Sequence, residues 1–576
     1  MASPRSLAAL GTLFALAACG GGGGGSTPPP PATPSSAVLS VSLSGGAAPG
    51  LDHLWVTVTG VAIHASAAHV YGDGDAGWIT LPLAAPLTVD LADPALSKGG
   101  TVALLRQSVS ALGTFAQLRL LLAPSDPAYP LTASASAQGL QFNDQVQYTD
   151  ATGAHVVPLE TPDSQAGLRL LTTFNLSADT TTPLAIEMNA SALARRASAG
   201  GADRFTLRNE LQLYNQQLLT ALGDGSLQID GSIFDSISGQ LDTSHFCTGT
   251  SHAGCIHDVV ASATSLSADG RFHAEARSVE VSPTGTFLLY PLPSQTLYYD
   301  VVIHGGNMQT IVVHNVFVDP TGILKPTPTA LSSAATPLVP VVDTSERNIS
   351  IANALAPAGS RVVFGQTVAG SGGTGADVPY TITAAAADPA TGRVLGTVTL
   401  PGGPIHYAQF NSTTDGHGTP PAFATVTPTE GLGAWTAWSQ GTLATTASAT
   451  TTVAAGANGA SVPDPVARAG FAAGTIDVTL AGSATNAPDH AELIVSNDGG
   501  TVAVVDVTSL VAAHGGTATV SVPSGSASAA PGAAVYGVAL RTWVAAAETA
   551  TTRWTHGSVP VDLSTSATGV ISLALP

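Results

Sequence analysis

Leu54–His64 reads LWVTVTGVAIH. Leu54, Val56 and Val58 fall on one side of an extended chain and Trp55, Thr57 and Thr59 on the other, because successive side chains of a strand point to opposite faces. This is the pattern of a half-buried strand. Working outward, Ala37–Leu43 (AVLSVSL) alternates in places. Trp78–Leu81 (WITL) and Leu87–Leu91 (LTVDL) predict two short strands, and Phe115–Leu122 (FAQLRLLL) another. Gly and Pro punctuate the intervals. Further strand signals follow at Arg361–Phe364, Val378–Thr383, Arg393–Leu400, Thr475–Leu480, Ala491–Val495, Thr501–Val507, Thr517–Val522, Val535–Trp543 and Val570–Leu575. Short strands spaced about ten residues apart predict β-sandwiches, so the expected fold class is all-β, a tandem array of sandwich domains.

Composition agrees. The chain has 576 residues, of which 44% are hydrophobic and only 10% charged. That length has room for several domains, and the apolar fraction is ample for real cores. Small and β-branched residues with many turn formers favour short strands over helices. The formal net charge is −20. A phosphate backbone would be repelled and no basic stripe offsets this locally, so nucleic acid is not an expected partner.

The order LSVSL, LDHLWVTVTGVAIH, GWITL, TVDLA, LGTFAQLRLLL and PDSQAGLRLLTTFNL resembles DUF4382, a domain of unknown function in bacterial and archaeal surface lipoproteins. The resemblance is carried most closely by Leu51–His64, Leu112–Leu122 and Thr161–Leu176. It implies a β-sandwich over 37–217 and brings no activity. The family's Thr-Asp-Ala-Pro is replaced by Ser44-Gly45-Gly46-Ala47-Ala48-Pro49, which lacks the acidic residue. Over 222–319, Gly231–Asp235, Ser282–Leu292, Tyr298–Ile303 and Gln309–Val313 are similar to carboxypeptidase regulatory-like, or prealbumin-like, domains. That similarity implies a spacer or binding sandwich in which a Gly turn lets a hairpin form; Thr284 stands where those domains carry Asp. A Pro-, Thr- and Ser-rich linker is expected at 320–345. A third sandwich is expected at 346–465, with a flexible low-complexity stretch at Ala447–Ala460, and a fourth at 466–576.

The N-terminus reads as an export signal. Arg5 supplies a basic start, and the uncharged apolar run Leu7–Ala18 is too short to span a bilayer core of about 30 Å as a helix. It ends in Leu16-Ala17-Ala18-Cys19, which resembles the lipobox of bacterial lipoproteins. The resemblance implies cleavage before Cys19 and its lipidation, with more than one acyl chain giving stable attachment. Residues 1–19 are thus the expected lipoprotein signal. The Gly- and Pro-rich 20–36 is the expected tether, flexible where glycine dominates and stiff where proline does. Gly20 after the cysteine points to the outer membrane. The expected partners are the membrane, through the anchor, and a protein or glycan ligand.

Several side-chain groups are candidates for chemistry. His245, His252 and His257 lie with Cys247 and Cys255 in one short segment. Thiolate and imidazole suit zinc, but the C-x₇-C spacing is wrong for a zinc knuckle. Export favours a Cys247–Cys255 disulfide, with metal binding and free thiols as the alternatives. Gly72–Gly77 and Gly370–Gly375 both match G-x-G-x-x-G without the strand–turn–helix context of a dinucleotide site, and read as turns. Calcium at Asp73 and Asp75 lacks further oxygen ligands. His53, His64 and His69 are expected at strand or loop surfaces, and His406, His417, His514 and His556 beside glycines or in loops. Trp435 and Trp438 are either core anchors or a sugar-stacking platform. Their i, i+3 spacing puts them on opposite faces of a strand, which favours the core. Neither a nucleophile elbow nor a zinc-helix motif occurs in the sequence. The expectation is a non-enzymatic envelope lipoprotein with a binding or structural role, no catalytic residues, no metal site and no cofactor. The rival is a secreted hydrolase or carbohydrate-active protein with a dispersed active site.

Overall fold

The computed structural model describes residues 35–576 apart from 214–235, 319–328, 350–360, 387–397 and a number of shorter loop segments. Residues 1–34 lie outside the described residues, and with them Cys19, the signal and nearly all of the tether. So do Gly231–Asp235, His252, His417, much of Gly370–Gly375 and the first part of 320–345.

Among the described residues nearly every regular element is a strand. In the first module Ala37–Gly45 lies between Thr181–Met188, parallel to it, and Val102–Val109, antiparallel. Leu39, Val41 and Leu43 enter the core from this sheet. The facing sheet is built around His53–His64, which pairs with Ile79–Asp90, Gly113–Leu122 and Gln145–Asp150. The two short strands expected at Trp78–Leu81 and Leu87–Leu91 are joined in one element, Ile79–Asp90, whose paired parts, Ile79–Pro82 and Leu87–Asp90, fall at those places and are separated by a break in register against His53–His64.

Alternation along His53–His64 changes phase once. Leu54, Val56 and Val58 face the core, and beyond them it is Val61 and Ile63. The register shifts between Val58 and Gly60 against both neighbouring strands, which is a β-bulge. Gly60 suits the close approach there, since a Cβ would lie 3.0 Å from the Leu81 carbonyl oxygen. The bulge moves His64 off the core face, where unbroken alternation would have put it.

A ten-stranded sheet forms the middle of the molecule. Its order runs Ala424–Val426, Ile405–Gln409, Ile311–Phe317, Tyr298–Gly306, His257–Leu266, His273–Glu280, Tyr380–Ala386, Arg361–Gln366, Trp435–Ser439 and Thr451–Val453. Ladder hydrogen bonds therefore join strands on both sides of the 320–345 segment, at Ile311–His314 with His406–Gln409 and at His273 with Tyr380. One face of the sheet is covered by Thr286–Leu289, Ile237–Gln240 and Thr329–Ala330. Val301, Ile303, Ile311 and Val313 point into that core, while Val302 and Val312 point into the opposite one with Phe364 and Trp435. Strands buried on both faces read as unbroken apolar runs, and Val301–Ile303 and Ile311–Val313 are such runs. Ile405 from near one end of the sheet and Val453 from the other share the second core, so the sheet curls over itself. The turn at Gly285 (φ +82°) carries the chain from the large sheet to the small one and makes no hairpin. The stretch Ala447–Ala460, expected to be flexible, contributes Thr451–Val453 as an edge strand on Trp435–Ala437.

The last module is a sandwich of Gly515–Gly525, Phe471–Ala481 and Thr568–Ala574 against a five-stranded sheet centred on His490–Asn497 and Val535–Trp543. Ser36–Pro576 forms one unit, and buried ion pairs tie its modules together. Arg277 of the middle sheet is fully buried against Glu187, on the outer face of the first module. Arg204 and Glu160 of the first module meet Glu492, Arg541 and Glu548 of the last.

Candidate functional site

Among the described residues, a group of metal-ligating side chains comes together where His53–His64 ends and the following loop folds back over it. His64 is 5% exposed. It was expected at the surface; the Gly60 bulge and the 65–78 loop enclose it instead. Its Nε2 lies 3.0 Å from Asp75 Oδ1, and its Nδ1 lies 3.0 Å from the Ser66 carbonyl oxygen. His69 packs beside it, ring centres 4.7 Å apart. His69 Nδ1 is 2.8 Å from Asp73 Oδ2, and its Nε2 is 3.8 Å from Asp75 Oδ2. One ligand atom from each of His64, His69 and Asp75 lies within 4.8 Å of the others.

The surroundings hold these groups in place. Asp73 accepts from the backbone N–H groups of Val70 and Asp75 and from the Trp78 indole N–H. The Trp78 ring closes the other side of His64 at 4.8 Å. Gln117 donates to the carbonyls of Ser66 and His69 at 2.6 and 2.9 Å. The His64 ring and the Gly77 N–H hold the Asp75 carboxyl below the usual carboxylate range. Gly72 and Gly74 take left-handed backbone conformations, which lets Asp73 and Asp75 turn inward as the loop tightens. The first G-x-G-x-x-G stretch is therefore a turn that aims carboxylates at imidazoles.

A second polar group is buried in the middle sheet. Asp300 accepts from the Asn315 N–H at 2.7 Å and lies 2.9 Å from His314 Nδ1 and 3.1 Å from His273 Nδ1. Tyr380 stacks on His273 at 4.3 Å and its hydroxyl meets His314 at 3.3 Å. Burial, with the Asp300 charge, pushes the Tyr380 phenol far up and the Tyr407 phenol up to about 12. Burial lowers His273 although Asp300 opposes it. Among the described residues no serine, threonine or cysteine side chain bonds either imidazole. It is a buried polar cluster inside the curled sheet, in which His273 Nδ1 and Asp300 Oδ2 approach without a well-formed hydrogen bond.

Cys247 and Cys255 are joined as a disulfide, with Cα atoms 5.2 Å apart. The Cys247 and Ile256 backbone N–H groups donate to the Ile256 and His245 carbonyls across the loop end. Both sulfurs are consumed, so neither is a thiolate ligand. The double variant Cys247→Ser/Cys255→Ser is expected to lower stability by about 2.5 kcal/mol in urea unfolding, the chain-entropy value for so short a loop. A loss below about 0.5 kcal/mol would mean that the loop is ordered equally well unbridged. Trp435 and Trp438 are 0% and 1% exposed, on opposite sides of their strand, and form no sugar platform. Trp435 packs in the core under the curl, and Trp438 against Phe272 at 5.0 Å. His53 is exposed and bonds Asp90 at 2.6 Å. His406 and His556 lie in strands, His556 at a strand end beside Gly557. His514 sits in a turn with φ +59°.

Residues 36–208 match the model of a domain of unknown function, DUF4382. No curated protein matches the chain. Among solved structures, the Bacillus anthracis TIE protein aligns over 93% of this chain and 74% of its own at 8% identity and TM-score 0.13. A candidate cell adhesion protein from Parabacteroides distasonis aligns over 73% and 83% at 10% identity and TM-score 0.13. The pilus adhesin SpaC from Lactobacillus rhamnosus GG aligns over 91% and 56% at 9% identity and TM-score 0.11. Superposition at this level establishes no common fold.

Proposed function

We propose that this chain is a non-enzymatic lipoprotein of the bacterial cell envelope, whose interlocked β-modules are held off a membrane by a short tether and serve in binding or envelope structure. The observation that carries the reading is Leu16-Ala17-Ala18-Cys19 at the end of a short apolar run, followed at once by glycines and prolines. A thiol acylated there would anchor the chain, and Gly20 favours the outer membrane. The Cys247–Cys255 disulfide supports the reading, since such bridges persist in oxidising compartments outside the cytoplasm. The buried ion pairs between modules support a body that acts as one piece. Asp300 and its histidines do not favour the hydrolase alternative, because they are engaged with one another and with the backbone. A protein or glycan ligand on the outer surface is the partner class that fits.

Cys19→Ala tests the anchor. The variant is expected to leave the membrane fraction of the native host, and mass spectrometry of the wild-type chain is expected to find a diacylglyceryl-modified, processed Cys19. An unprocessed N-terminus, or a free Cys19 thiol in membrane-extracted protein, would exclude the proposal.

A further inference from the structure

We propose that His64, His69 and Asp75 form a binding site for a divalent transition cation of the zinc type, independent of any lipid anchor. The two nitrogens of each ring are used differently. His69 Nδ1 faces the Asp73 carboxylate, which already accepts three N–H bonds and fixes the ring through Nδ1–H. In the neutral ring that leaves the His69 Nε2 lone pair directed at the Asp75 carboxylate, 3.8 Å away. Two electron-rich groups face one another across a gap that a cation would bridge. A carboxylate holding the remote nitrogen of a metal-bound imidazole is the usual outer-shell arrangement.

His64 is served in either tautomer. Its Nδ1 can accept from the Ser66 N–H at 2.9 Å or donate to the Ser66 carbonyl at 3.0 Å. In the first state Nε2–H donates to Asp75. In the second the proton resides on Nδ1 and the Nε2 lone pair is free for a cation. The ring needs no rotation to change between them, so a metal takes the place of the Nε2 proton without reorganising a buried side chain. Gln117, donating to the Ser66 and His69 carbonyls, keeps that backbone in place.

Two imidazoles and one carboxylate suit zinc and its neighbours, whereas calcium takes six to eight oxygens. Asp75 and its flanking glycines are exposed, which leaves at least one coordination position open to water or to a donor from a partner. Bound metal would pin the 65–78 loop onto the strand end beneath it.

The test uses the full chain without affinity histidines, stripped with chelator and dialysed against Zn²⁺. One equivalent is expected to bind with Kd of about 10 µM or tighter. His69→Ala and Asp75→Ala are each expected to weaken binding at least about 100-fold, and Asp73→Asn about 10- to 100-fold through loss of the outer-shell carboxylate. His69 and Asp75 are partly or fully exposed, so their variants are expected to keep the wild-type circular dichroism in chelator. Binding that is unchanged in His69→Ala and Asp75→Ala, or no zinc on the wild-type chain at about 100 µM, would overturn the assignment. Because Cys19 takes no part, loss of the anchor reading would leave this result untouched.

Discussion

Arg204→Ala is expected to destabilise the protein by about 3 kcal/mol, because removing one partner leaves buried charge behind. Arg204 binds Glu160 with two nitrogens, Nε to Oε1 at 2.8 Å and Nη2 to Oε2 at 2.9 Å, and reaches Glu492 of the last module at 3.2 Å. Glu160 and Glu492 hold the Arg204 guanidinium firmly charged despite its burial. Without it, Glu160 loses its two shortest charge-assisted bonds and is left to partners that include the more distant Arg541, at 3.4 Å, and Thr206. The Arg541 guanidinium lies over the Trp543 ring at 4.3 Å, so the pair is walled by an apolar surface that cannot replace water. The loss is expected at the contact between first and last modules, where Arg169 also donates to the Pro531 carbonyl and Asp126 accepts from the Trp554 N–H. Calorimetry is expected to split one transition into two, with the last module leaving first. Exchanging Arg204, Glu160 and Glu492 together for apolar residues is expected to recover much of the loss, since buried ion pairs stabilise little relative to packed hydrocarbon. A single transition at the wild-type temperature for Arg204→Ala would show that the network does not couple the modules.

Trp435→Ala is expected to cost about 3–5 kcal/mol, the range for removing a fully buried aromatic side chain. Trp435 lies under the curl of the ten-stranded sheet, where Phe364, Ile405 and Val453 from three different strands share its core. A cavity there cannot close by moving one strand, because each is held by ladders to its neighbours. Trp435→Phe is expected to lose less than half as much. It keeps a ring in place and removes an indole N–H that has no hydrogen-bond partner in the core. Urea unfolding followed by circular dichroism measures both. Equal losses for Ala and Phe would mean that the indole N–H is satisfied in solution and that packing is the smaller part.

How far the fold was legible depended on the range of the interactions involved. Period-two alternation in Leu54–Val58 and Leu39–Leu43 marks strands and core faces from neighbouring residues alone, and those positions are buried as read. The even cysteine pair and its short spacing lead to a disulfide by local chemistry. The Trp435/Trp438 spacing separates the two rings because a strand allows nothing else. The edge strand Thr451–Val453 was not legible, because its partner Trp435–Ala437 is not visible within the segment itself.

The zinc-type site shows the same division. His64, His69, Asp73 and Asp75 stand within a dozen residues, and that concentration of ligand types at the end of a strand was the available signal. What hid it was the phase change at Gly60, which sets the face His64 occupies.

Local sequence thus determined that the described part of the chain is nearly all β, that its first third resembles a known domain, and that Cys247 and Cys255 can bridge. Tertiary structure alone decided that strands on either side of residues 320–345 share a sheet, that Arg277 and Arg204 lock distant modules together, and that two histidines converge on Asp75. Alternation and turn chemistry act between residues a few positions apart, whereas strand pairing across modules, charge burial and ligand convergence arise only when remote segments exclude water from one another.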